Sequence, residues 1–94
     1  MKLEHAKLGS VELADPITQR QVEAFFREKR ELDGENAVRL SVPEDHGSIV
    51  RACWKAGILL GPEQDVDALK PAFVRWLARE LDRIIGEALA IPEA

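Results

Sequence analysis

The sequence predicts a mainly α-helical domain of three helices in one compact unit, with a small two-stranded β element formed by the N-terminal segment and residues 37–42. Three observations carry that prediction. Phe73, Leu77, Leu81, Ile84 and Ala88 recur at intervals of four, four, three and four, the period of one helix face. Asp15-Pro16 and Lys70-Pro71 place Pro where a helix can begin, while Gly34 and Gly57 stand where helices can end. The 94 residues are 46% hydrophobic and 32% charged, a globular composition rather than a disordered one, and their length suits a single domain over 1–94 with a small core.

In chain order, residues 1–14 read as loose or strand-like. Val11-Glu12-Leu13 alternates, which fits a short strand or a hairpin turning at Gly9. The first helix is expected over about 18–33. Thr18 and Gln21 have capping-box spacing, and Ile17 with Val22 has the spacing of a hydrophobic staple. Val22, Phe25, Phe26 and Leu32 mark its apolar side, and Gly34 supplies the stop. Val38, Leu40 and Val42 then alternate with Arg39 and Ser41, which reads as an extended segment able to pair with Val11–Leu13.

A second helix is expected over about 43–56, opened by Pro43 and stopped by Gly57. Ile49, Ala52, Cys53 and Ala56 share one side of it, with Val50 and Trp54 on the flank. Small residues beside one large ring suit a central helix packed on both sides. Gly61-Pro62 breaks the apolar run Ile58-Leu59-Leu60, and the acidic stretch to Lys70 is turn-like, anchored by Val66 and Leu69. The third helix is expected over about 71–90.

Charge and cysteine usage narrow the function classes. A net charge of −4 opposes a phosphate backbone or an anionic membrane surface, so nucleic acid is an unfavoured partner. Arg20, Arg27, Lys29 and Arg30 are interleaved with Glu23, Glu28 and Glu31, the pattern of a solvated face. The single cysteine, Cys53, excludes an internal disulfide and fits a reducing compartment. With no apolar run of signal-peptide or membrane-span length, the expected location is the cytoplasm.

Candidate chemistry is thin, and neither a catalytic site nor a cofactor is expected. Glu44, Asp45 and His46 are adjacent, whereas ligands shared from one helix stand three or four positions apart. The other histidine, His5, lies far away in the sequence. Asp65 and Asp67 with Glu63 lack the glycine and the distant glutamate of a calcium loop. Cys53 sits among small apolar residues, the setting of a buried inert thiol. No phosphate loop or nucleophile elbow is present, so the protein reads as non-enzymatic.

Binding is the remaining class. Arg75, Arg79 and Arg83 form a basic stripe on the third helix, flanked by Glu80 and Asp82. The connection before that helix is too long for a helix-turn-helix, so a small DNA-associated regulator is the alternative and not the leading reading. The apolar side of the same helix is broader than one stripe, which leaves Trp76, Ile85 and Leu89, with Trp54 as a neighbour, as candidate protein-binding residues. A structural homo-oligomer is a further alternative.

Several segments together resemble small phage and prophage proteins encoded among tail genes, some of them tail assembly chaperones. They are Leu13-Ala14-Asp15-Pro16-Ile17-Thr18, Val50-Arg51-Ala52 through Lys55-Ala56-Gly57, Leu69-Lys70-Pro71 leading into Val74-Arg75-Trp76-Leu77-Ala78, and Ile91-Pro92-Glu93. The resemblance departs at Ile58, where an aromatic is expected after the Ala-Gly pair. It implies a non-enzymatic protein of the host cytoplasm that keeps a hydrophobic tape-measure protein soluble until tail-tube subunits polymerise around it. It assigns no contact residues.

Overall fold

The computed structural model describes residues 1–38 and 46–90, with the backbone alone described at 33 and 35–38. The chain runs through β1 (Lys2–His5), β2 (Gly9–Glu12), α1 (Gln19–Val38), α2 (His46–Lys55), a short 3-10 turn (Val66–Ala68) and α3 (Pro71–Leu89). The fold is mainly α with a small β element, in line with the expected class.

Of the two pairings read for the N-terminal segment, the structure has the hairpin at Gly9 and not the pairing with residues 37–42. β1 and β2 form an antiparallel hairpin with Leu3 opposite Val11 and His5 opposite Gly9. The turn between them is closed by the Leu8 N–H donating to the His5 carbonyl at 3.3 Å. Gly9 follows at φ 136°, a conformation open to a residue without Cβ. Residues 37 and 38, expected to open the partner strand, are instead the end of α1, and 39–42 lie outside the described residues. A hairpin closes over a short loop, so it forms at lower entropic cost than a pairing across the whole first helix.

β2 has its second neighbour further along the chain. Leu13 forms a bridge with Leu59, the Ala14 N–H donates to the Ile58 carbonyl at 2.9 Å, and the Leu60 N–H donates to Glu12 at 2.9 Å. The alternation read at Val11-Glu12-Leu13 holds, with Val11 and Leu13 buried and Glu12 exposed.

α1 begins as its capping box predicts. The Thr18 N–H donates to Gln21 Oε1 at 2.8 Å, and the Gln21 N–H donates to Thr18 Oγ1 at 3.3 Å. The Gln21 amide nitrogen also donates to the Gly57 carbonyl at 3.1 Å, which ties the start of α1 to the end of α2. The expected stop at Gly34 is overturned, because α1 passes through it to Val38. A single exposed Gly inside a helix costs about 1 kcal/mol against Ala, and propagation carries a formed helix past it.

α2 is the central helix, with α1 and α3 packed against it. It is described from His46, and the expected start at Pro43 lies outside the described residues. The face assignment shifts: Val50 and Trp54, read as flanking, are buried, while Ile49 and Ala56 are only half-buried. Gly57 ends α2 at φ 78° in a Schellman arrangement. Its N–H donates to the Trp54 carbonyl at 3.1 Å, and the Ile58 N–H donates to the Cys53 carbonyl at 2.9 Å. Ile58, at the position where the resemblance leads to an aromatic, is fully buried.

α3 starts at Pro71 behind an extended Lys70. Phe73, Leu77, Leu81 and Ile84 are buried as the spacing predicts, together with Ala78 and Ile85. Ala88 departs from the expected stripe: it is exposed, because the buried face ends at Ile85 and the last turn runs past the core. One hydrophobic cluster joins α3 to Val50, Cys53 and Trp54 of α2, Phe25 of α1, Val11 and Leu13 of the hairpin, and Ile58, Leu59 and Val66. No helix is long and apolar enough to cross a membrane among the described residues.

Candidate protein-docking surface

The four residues read as a protein-binding set do not lie on one surface. Trp54 is 8% exposed and Ile85 4%, and both belong to the core cluster. Trp54 is buried because α2 lies between α1 and α3 and packs against both, and Ile85 because it extends the buried side of α3 beside Leu81 and Ile84. Trp76 is half-buried at the N-terminal part of α3, where it props the hairpin. Its ring meets His5 edge-on with centroids 5.2 Å apart and stacks on Phe73 at 5.9 Å. Leu89 alone of the four is open to solvent, 49% exposed in the last turn of α3.

Besides Met1 at the start of the chain, two further large apolar side chains among the described residues face solvent and escaped the sequence reading as surface groups. Phe26 is 44% exposed and Leu60 49%. The signals were present. Phe25 and Phe26 are consecutive on a helix, about 100° apart, so one ring in the core turns the other outward. Ile58-Leu59-Leu60 runs from the end of α2 past Glu12, Leu13 and Ala14, and its first two side chains are the buried ones. Phe26 keeps an edge-on contact with Phe25 at 5.2 Å.

The arginine stripe is formed as a row but is unequal in charge. Arg75, Arg79 and Arg83 are all exposed on α3. Arg83 is engaged on both sides, by Glu80 at 2.6 Å and Glu87 at 2.9 Å. The hydrogen bonds it donates to Glu80 and then to Glu87, with the negative charges of those carboxylates, hold its guanidinium even more firmly protonated than usual. Arg75 and Arg79 have no carboxylate partner among the described residues, so the stripe reduces to two available cations one turn apart.

The acidic and histidine candidates serve local structure. Asp65 Oδ1 accepts from the Asp67 N–H at 3.1 Å and caps the 3-10 turn. Asp67 accepts from Arg51 of α2 at 2.6 Å, which pins that turn against the central helix. His5 Nδ1 accepts from the Lys7 N–H at 3.1 Å inside the hairpin turn. His46 is the first described residue of α2 and is half-buried, while Glu44 and Asp45 lie outside the described residues. Among the described residues no group of three or more His, Cys, Asp or Glu side chains could hold a metal ion. Cys53 is fully buried, and burial pushes its thiol far above the ordinary thiol range, with the negative charge of Asp82 adding to the effect. Such a thiol is not a nucleophile at neutral pH.

No protein-family model matches the chain, and no curated protein or solved structure shows significant similarity to it.

Proposed function

We propose that the protein is a non-enzymatic protein-binding adaptor or assembly chaperone, with the last turn of α3 as its contact element. The observation that carries the reading is Leu89, a large apolar side chain 49% exposed on a helix end that continues beyond the core. A helix end of this kind can lay its apolar side into a groove or shield an apolar helix of a partner. The resemblance to phage tail-gene proteins supplies the partner class, a hydrophobic tape-measure protein, and the acidic composition suits a body that keeps such a partner in solution.

Co-expression with a tape-measure protein tests this, the fraction of that protein left soluble being the readout. The parent chain raises the soluble fraction, and Leu89→Asp lowers it while leaving the fold intact, because Leu89 is outside the core. A tape-measure protein that is equally insoluble with and without the parent chain sinks the chaperone reading. Equal protection by Leu89→Asp sinks the assigned surface.

Arg75 and Arg79 favour a second reading, a DNA-associated protein. In that case a short duplex shifts at low salt, the shift falls as salt rises, and Arg75→Gln with Arg79→Gln removes it. The net charge of −4 makes this the weaker of the two.

A further inference from the structure

The chain meets the outer edge of the hairpin at the Glu12 end of β2, and no described residue meets it along β1. Met1 and Leu13 exchange hydrogen bonds across the hairpin, the Leu13 N–H to the Met1 carbonyl at 2.7 Å and the Met1 amine to the Leu13 carbonyl at 2.9 Å. Antiparallel pairing alternates, so Leu3 and His5 likewise direct their backbone groups towards β2, and Lys2 and Glu4 direct theirs outward. On β2 the same alternation turns the Glu12 carbonyl away from β1, and Leu60 meets it at 2.9 Å. No described residue does the same for the outward N–H and C=O groups of Lys2 and Glu4.

We propose that β1 pairs with β1 of a second copy of this chain, antiparallel, about a two-fold axis through Leu3. The pattern of charge selects that occupant and that direction. Lys2 and Glu4 are both exposed and form an ion pair along the strand at 3.2 Å. An antiparallel two-fold at Leu3 sets Lys2 of each copy opposite Glu4 of the other, whereas a parallel pairing sets like charges together. Lys2 and Glu4 are also the two residues with outward backbone groups, so each Lys2–Glu4 pair exchanges both of its hydrogen bonds. Charges on an edge strand usually blunt indiscriminate pairing; here opposite signs two positions apart restrict it to one register.

The other face of the edge agrees. Leu3, His5 and Trp76 are half-buried there, with His5 on the Trp76 ring. The two-fold brings the second Leu3 beside the first and removes water from that apolar flank. Pairing along a four-residue strand buries little area, so the dimer belongs to the weak, concentration-dependent class. It is independent of whatever partner the end of α3 meets.

Sedimentation equilibrium of the full chain alone is the test. The mass rises from 10.5 kDa towards twice that value. The rise falls between about 10 µM and about 1 mM, the range of a weak interface. Glu4→Lys, basic at both edge positions, stays monomeric, and so does Lys2→Glu, acidic at both. Mixed in equal amounts, the two variants associate again, because each supplies the charges the other lacks. A monomer mass for the parent throughout, an association that both variants leave intact, or a mixture that remains monomeric overturns the proposal.

Discussion

Cys53 and Trp54 are neighbours in the core of α2 and carry the two polar groups whose burial has measurable consequences. The Cys53 thiol is held neutral by burial, with Asp82 reinforcing the effect, so its value in the fold lies well above the 9.0 of a free thiol. A group raised in the folded state favours folding fully below its unfolded value and loses that contribution as pH climbs through the window between the two. Relative to Cys53→Ala, the parent therefore loses stability as pH rises past about 9, by up to about 1.4 kcal/mol per pH unit, readable from urea midpoints on either side of that pH. At neutral pH the thiol reacts with an alkylating reagent only as fast as the protein unfolds. The Trp54 indole N–H is buried without a hydrogen-bond partner among the described residues. Leaving such a donor unmet costs about 1–3 kcal/mol, which offsets much of what the larger ring gains by packing. Trp54→Phe is accordingly expected within about 1 kcal/mol of the parent, whereas Trp54→Ala loses about 3–5 kcal/mol. A loss for Trp54→Phe near that of Trp54→Ala shows that the N–H has a partner after all.

At the scale of elements, two glycines that look alike in sequence act in opposite ways. Gly57 holds φ 78° and closes α2 through the bonds to Trp54 and Cys53, so Gly57→Ala forces a side chain into the left-handed region. Gly34 lies inside α1, exposed, with nothing among the described residues within 4 Å of where a Cβ would sit. Gly57→Ala is expected to lower stability by about 1–2 kcal/mol, and Gly34→Ala to raise it by about 0.5–1 kcal/mol, both from denaturant midpoints. The contrast explains why the end of α1 was not legible while the end of α2 was. A glycine stops a helix when the following residues have somewhere to pack: Ile58 and Leu59 enter the core directly after Gly57. The starts were legible because Thr18 with Gln21, and Lys70-Pro71, act within one turn.

For the molecule as a whole, α2 is the most enclosed helix among the described residues, lying against α1, α3 and, through Arg51 and Asp67, the 3-10 turn. Stability is therefore concentrated in α2. Amide exchange is expected to be slowest at Val50, Ala52 and Cys53, near the limit set by global unfolding, and fast at Lys2 and Glu4 in dilute solution. Exchange at Val50 as fast as in the exposed part of α1 contradicts that order. Raising the protein concentration slows the Lys2 and Glu4 amides alone if the edge pairs with a second copy.

Periodicity, punctuation and composition were sufficient for the mainly helical class, the buried row of α3, the capping box of α1 and the central position of α2, because each depends on residues a few positions apart. The hairpin turning at Gly9 was one of two pairings that the sequence left open for the N-terminal segment; the joining of Ile58–Leu60 to Glu12 and Leu13, and the burial of Trp54 and Ile85, were decided by tertiary structure. The joining and the burial depend on which surfaces meet across long stretches of chain, and a local pattern marks a residue as apolar without saying whether another element will cover it. For the candidate surface this difference is large: of Trp54, Trp76, Ile85 and Leu89, packing withdrew two into the core, gave one to the hairpin and left Leu89 open.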